Sequence, residues 1–320
     1  MTIHSIQPGH GRIVVQNDGY SNHFTELSSS YPLKLVSAGT PPRNVSMVYA
    51  LPYGGGLAGG DHVETTVEVH DGARLAMFSQ GSTKVLKARP GRPRRSAPSR
   101  TDPEPSGAAS QKLDVHVSSG SAFFLLTDPV TCFRDARYHQ TQTVHLTRDS
   151  SAVLVDWMTS GRKATGEEWA FSQYYSRLDV LVDGRRVAGD TTLLEGRHIR
   201  CTAQEAEEGL RDRKGTPPRS LRDRMTPYSC YATVILYGAL VQDTCRRLSA
   251  EQRHILNPKC TQDYSPPLRL TWTLKPIADG QGCVVQVAAE ETEDVRVWLR
   301  QALSGLEGVL GVDVYRQAFR

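Results

Sequence analysis

Eleven residues, Leu51 to Asp61 (LPYGGGLAGGD), limit what this chain can fold into more than any other segment. Five glycines and a proline rule out a helix or an ordinary strand there, because glycine gives up the most conformational freedom on ordering. The run that follows, HVETTVEVH, places Val63, Val67 and Val69 on one parity, the period-two pattern of a half-buried strand. Together they predict a tight glycine-lined turn that feeds a strand and sets a carboxylate, Asp61, at its mouth. A phosphate cradle would need a helix N-terminus after the glycines and often a lysine. Here an acid and a strand follow, so the loop suits a cation or a partner's basic group better.

Short runs rich in β-branched and aromatic residues recur along the whole chain, as in Arg12–Val15, Val45–Leu51, Leu75–Ser79, Phe123–Thr127, Val153–Trp157 and Tyr174–Val182. Asp183-Gly184 is the strongest two-residue hairpin signal. Helical spacing occurs in two places. One runs from about Leu240 to Leu256, with Val241, Cys245, Leu248, Gln252 and Ile255 on one face, and is ended by Asn257-Pro258. The other begins at Thr292, read as an N-cap, and carries Val295, Trp298, Leu299 and Leu303 up to Gly305. The pattern predicts a mostly β fold with one or two accessory helices. No internal repeat of fixed period is visible.

The 320 residues carry a formal charge of +4, unevenly spread. Residues 88–111 hold a net +3 and residues 209–226 a net +4, which leaves −3 for the rest. Basicity confined to two segments argues against nucleic-acid binding by the body. Segment 88–111 is dense in Pro, Ser and Arg and reads as a disordered insert between strands. Segment 203–226 reads similarly, although Thr202 and Glu205 have capping-box spacing. Strand patterns continue on both sides of each, so residues 1–320 read as a single domain with two inserts. Six scattered cysteines without a CxxC pair do not make a disulfide framework. The N-terminus lacks an apolar leader, and the longest apolar stretch, near Tyr231 to Val241, is too short to span a bilayer. The expectation is a soluble, reduced, cytoplasmic protein.

Walker-type GxxxxGK[ST], HExxH and GxSxG are all absent. What clusters is a set of polar, glycine-flanked loops at strand ends: Gly59-Gly60-Asp61-His62, Ser79 to Lys84 (SQGSTK), and Asp156 to Trp169 (DWMTSGRKATGEEW). Their hydroxyls and carboxylates suit transient contacts with a hydrated divalent ion, since tight Ni²⁺ or Zn²⁺ sites prefer imidazole and thiolate. Each has a plainer reading alone. Asp61 is a natural Asx-turn residue, Ser82 and Thr83 are natural turn hydroxyls, and Glu167 and Glu168 can pair with Arg162 and Lys163. His62 faces away from Val63 by alternation and makes no site alone, and His4 and His10 read as solvent-exposed.

Four ordered motifs, LPYGGGLAGGD, SQGSTKVLK, TDPVTCFRDARYHQTQ (127–142) and SAVLVDWMTSGRKATGEEWAF (151–171), together resemble the urease accessory protein UreD family, called UreH in some bacteria. The likeness is to a fungal or plant member, covers about residues 45–175 outside the 88–111 insert, and returns at the C-terminal GVDVYRQAFR. The resemblance implies a stacked, helical β-sheet scaffold with two helices, and a non-enzymatic maturation chaperone. Its implied partners are UreF, UreG held through UreF, and the urease apoprotein, with neither nucleic acid nor membrane. It also implies that Ni²⁺ passes through the interior in transit, with no tightly bound cofactor. Matched to the motifs, Asp61, Ser82, Thr83, Glu167 and Glu168 are then transient channel contacts. The alternative is a pure assembly scaffold that conducts nothing. The two basic inserts depart from compact bacterial members, and the match weakens after Gly184.

Overall fold

Through its middle the chain crosses back and forth between two sheets, laying parallel strands in each, while antiparallel strands complete the edges of both sheets. The computed structural model describes residues 6–38, 45–87, 107–196, 219–255 and 269–319. Its strands in the first half are β1 (His10–Asn17), β2 (Asn22–Ser29), β3 (Leu33–Ser37), β4 (Ser46–Pro52), β5 (His62–Val69), β6 (Arg74–Phe78), β7 (Thr83–Val85), β8 (Ala109–Val117), β9 (Ala122–Leu126) and β10 (Val130–Cys132). They continue as β11 (Arg137–Leu146), β12 (Ser151–Thr159), β13 (Gly161–Arg162), β14 (Glu167–Glu168), β15 (Gln173–Val182), β16 (Arg185–Glu195), β17 (Cys230–Tyr237), β18 (Leu270–Ile277) and β19 (Gly282–Ala289).

One sheet has the order β16-β15-β11-β8-β5-β1-β2, and the other β18-β19-β17-β12-β9-β6-β4-β3, with β10 and β7 paired beside β12. The steps β5→β6, β8→β9 and β11→β12 each carry the chain from the first sheet to the second. Strands β5, β8, β11 and β15 stack in parallel, as do β4, β6, β9 and β12. This helical winding of stacked sheets agrees with the expected mostly β scaffold.

Three apolar layers follow from strand alternation. Between the sheets lie Ile13, Val67, Leu75, Val115, Phe123 and Leu154. On the far face of the second sheet, Phe124, Val153, Val234 and Val285 pack against helices. These are α1 (Leu221–Met225), α2 (Gln242–Ile255), α3 (Thr292–Ala302), α4 (Glu307–Leu310) and α5 (Val312–Ala318), with α2 to α5 contributing Cys245, Leu248, Val295, Leu299, Leu310 and Val314 to this layer. The third core closes one end of the sheets with Leu57, Tyr138, Trp169, Phe171 and Tyr174.

Helices α2 and α3 occupy the two stretches where helical spacing predicts them. The N-cap of α3 is Glu291, not Thr292, which is the first helical residue. The short α1, α4 and α5 were not foreseen. Asp183 and Gly184 both adopt positive φ (47° and 77°), so β15 and β16 are joined by the expected hairpin. Of segment 88–111, residues 88–106 lie outside the described residues, while Ala109–Gln111 begin β8 and so belong to the sheet. Of segment 203–226, residues 203–218 lie outside them and Leu221–Met225 form α1, capped by Ser220 and Asp223. That correction has a local cause: the Ser220–Asp223 capping box satisfies the exposed amides that would otherwise disfavour so short a helix. The Thr202–Glu205 pair, Asn257-Pro258 and His4 also lie outside the described residues.

Candidate functional site

The sheets do not close on one another with apolar side chains throughout. Toward one end, inward-facing positions of the central strands turn polar. In β11 the inward parity of Tyr138, Gln140, Gln142, Val144 and Leu146 is interrupted by two glutamines. In β12 the acid Asp156 interrupts SAVLV-WMT. Burying such groups is tolerated only where they satisfy one another. Gln140 Nε2 donates to Asp156 Oδ1 (3.0 Å) and to Ser176 Oγ (3.2 Å), and Ser176 Oγ donates to Asp156 Oδ2 (2.8 Å). The Tyr138 hydroxyl lies 2.7 Å from Gln140 Oε1 and 2.8 Å from Gln111 Oε1.

Cavities surround this network. A cavity of about 330 Å³ has polar walls in Asp156, Asp190, Thr192, Thr233 and Gln286 and larger apolar ones in Met158, Leu194, Met225, Tyr231 and Trp272. A second of about 50 Å³, lined by Thr65, Thr83, Gln111, Gln140, Gln142 and Asp156, is large enough for water. Asp156 and Trp157 line both. A third, near 20 Å³, shares Ala50, Thr83 and Gln111 with the second and reaches the Leu51–Leu57 turn. The wide cavity in turn shares Asp190, Thr273 and Gln286 with the cleft between β16 and β18. Neighbouring cavities thus share wall residues between the sheets, with Asp156 between the first two, and the wide cavity adds its apolar wall. Asp156 lies deep among protein atoms yet remains partly accessible, because the cavities reach it. Burial pushes its carboxyl above the ordinary aspartate range, against the pull of the Ser176 and Gln140 hydrogen bonds, and the charge of Asp190 adds to the rise. Asp190 is itself held by Thr233 Oγ1 (2.8 Å) and Gln286 Nε2 (3.3 Å). Burial also raises the phenols of Tyr138 and Tyr174.

The glycine-flanked loops do meet at this end. Leu57 bridges Val85, β7 pairs with β10 and β10 with β12, and β13 follows from β12 through Ser160. Glycine is needed at two points. A Cβ at Gly56 would sit 2.6 Å from the Lys84 carbonyl oxygen. Gly161 adopts φ +125°, with a Cβ position 2.5 Å from the Glu167 carbonyl oxygen.

The five side chains singled out from sequence do not share one hollow. Thr83 lines the two smaller cavities. Asp61 is buried and its carboxylate reaches back to accept the Ala58 amide (2.8 Å), across a turn closed by Asp61 N–H donating to the Ala58 carbonyl (2.9 Å), rather than forming the expected Asx turn. Ser82 is half-buried at the adjoining turn. Glu167 takes both Nε (2.9 Å) and the NH2 nitrogen (2.6 Å) of Arg162, which hold its carboxyl below the ordinary glutamate range. Glu168 pairs with Arg222 at 3.0 Å. The β13–β14 hairpin brings Arg162 opposite Glu167, and α1 brings Arg222 to Glu168, so both carboxylates are taken up by arginines. His62, although it alternates with Val63, is buried against Ser110 Oγ (2.7 Å).

Asp156 entered the sequence reading only as the first residue of the Asp156–Trp169 segment, and Gln140, Gln142, Ser176 and Asp190 were not singled out. Their signal is a polar residue at the inward parity of an otherwise apolar or aromatic strand, as in β12 and β11.

Residues 7–318 match the family model described as UreD urease accessory protein. The chain is 33% identical over 324 residues to urease accessory protein D of Arabidopsis thaliana, covering 95% of this chain and 99% of that protein. It is 33% identical to urease accessory protein 4 of Cryptococcus neoformans (95% and 92% covered) and 33% identical to the UreD of Sorangium cellulosum (96% and 83%). A match of that length, spanning both sheets and the C-terminal helices, leaves one conclusion: the chain belongs to the UreD family of urease accessory proteins.

Proposed function

We propose that this protein is a non-enzymatic scaffold of urease maturation, which joins a UreF–UreG complex to the urease apoprotein and conducts Ni²⁺ through the path between its sheets. The observation that carries the reading is Asp156, a deep acid that lines two adjacent cavities, accepts hydrogen bonds from Gln140 and Ser176 and feels the charge of Asp190. Oxygen donors exchange a hydrated late transition ion more readily than imidazole or thiolate would. An acid whose charge is unfavourable in isolation gains most from a passing cation. Thr83, at the narrow end, is the one residue of the sequence-derived set that borders the path; Asp61, Ser82, Glu167 and Glu168 act in this reading through the loops that frame it.

The test separates conduction from assembly. Thr192 is a partly exposed wall residue of the wide cavity, so Thr192→Trp fills the path while leaving the sheet intact. Nickel-dependent urease activation at limiting Ni²⁺ should fall at least tenfold for Thr192→Trp and for Asp156→Asn, while both variants still co-purify with UreF, UreG and apo-urease. Full activation by both variants would remove the conduit and leave docking alone. Failure of wild-type chain to co-purify with any of the three would remove the scaffold reading as well.

A further inference from the structure

The outer face of the seven-stranded sheet carries a second cluster of donors, separated from the path by the sheet itself. Parallel register places His145 of β11 beside His116 of β8, and Asp114 lies two residues before His116 on the same face. Val115 and Val144, the alternating neighbours, point inward to the apolar layer. The two imidazoles stack at 4.5 Å with planes 3° apart. Asp114 Oδ1 lies 3.4 Å from His116 Nε2 and 3.3 Å from His145 Nε2. That oxygen is shielded from solvent and accepts no hydrogen bond. Three donor atoms therefore converge within 4.8 Å of one another, and between neutral imidazoles the carboxylate is left without a hydrogen-bond or ion-pair partner at that oxygen.

An unsatisfied, shielded carboxylate oxygen is costly unless something else occupies its lone pairs. The spacing indicates what. Metal–ligand bonds of about 2.0–2.1 Å in tetrahedral geometry set neighbouring donor atoms about 3.3–3.4 Å apart. Both Asp114–histidine separations have that value; the imidazole nitrogens need only tilt toward each other. The neighbouring charges are engaged elsewhere. Glu68, the register partner of His116, is held by Arg12 (2.8 Å) and His70 (3.1 Å), and Lys112 is drawn to Glu64 (3.0 Å). Both imidazoles are substantially exposed (50% and 37%), so an ion needs no opening of the fold to reach them.

We propose that Asp114, His116 and His145 form a three-donor site for a late first-row divalent ion, with imidazole and carboxylate ligands suited to Zn²⁺, Ni²⁺ or Cu²⁺ and the remaining position open to water or a partner's donor. The site stands on its own geometry and is independent of the transit reading.

Calorimetric titration of the full chain with Zn²⁺, and visible absorption with Co²⁺ as a probe of geometry, test it. Wild-type protein should bind one equivalent, with Co²⁺ giving a tetrahedral-type ligand-field band. Asp114→Asn should weaken that equivalent about tenfold or more. His116→Ala with His145→Ala should abolish both the equivalent and the band. These side chains face solvent, so an unchanged circular dichroism spectrum and unfolding midpoint should accompany the loss. Unchanged affinity in the double variant, or absence of a bound equivalent in the wild type, overturns the site.

Discussion

Asp156 shows how burial and charge compete within a single side chain. Its folded pKa lies above the unfolded value of about 3.9, because burial outweighs the hydrogen bonds that favour the charge. Stability linked to this group is therefore complete below about pH 4 and is lost as pH rises through the folded pKa. Asp156→Asn should match the wild-type unfolding midpoint near pH 4 and exceed it by a few degrees at pH 7, read by thermal denaturation across pH. A wild type more stable than the variant at pH 7 would contradict the direction. Glu64 has the opposite sign. His62 chiefly, then Lys112, hold its carboxyl down at about 2, so its contribution is present above about pH 4.3 and fades as pH falls toward 2. Carboxyl-selective NMR titration should show Glu64 rising toward the ordinary range in His62→Gln, and by less in Lys112→Met. The sequence placed His62 on the opposite parity to Val63. It could not show that Ser110, from a strand 48 residues away, would bury it.

At the scale of elements, alternation and turn chemistry were legible where each element depends on its own neighbours. The Asp183-Gly184 hairpin, strand β5 and the buried faces of α2 and α3 follow from spacing alone. The loop Ser160–Trp169 was legible as a polar strand-end loop, but not in its internal pairing. There Arg162 clasps Glu167 and stacks over Phe133 at 4.4 Å. Gly161 makes that clasp possible, since its positive φ and the nearby Glu167 carbonyl leave no room for a side chain. Gly161→Ala should cost about 1–3 kcal/mol of stability in denaturant unfolding. A loss within about 0.5 kcal/mol, the range of a neutral surface substitution, would show that the loop readjusts freely.

For the whole molecule, stability should follow the layer between the sheets. Phe123 is wholly buried there, and Phe123→Ala should cost about 3–5 kcal/mol in urea unfolding. A cost under about 1 kcal/mol would mean that the two sheets do not share that core. The helical winding was invisible as a repeat for a specific reason. Val67, Val115 and Val144 are register partners, yet they lie 48 and then 29 residues apart. Residues 88–106, 19 in number, make up the difference between the two steps. An interruption of that length hides a period from any reading along the chain. The sequence by itself determined the β class, the two main helices, the hairpin and the family, since each rests on neighbouring residues or on an ordered string of motifs. Only the tertiary structure decided which polar residues face one another, because Gln140, Asp156, Ser176 and Asp190 meet through the register of separate strands. Each strand's alternation fixes which face is buried, but which residue of a distant strand lies opposite is decided by how the two strands pair.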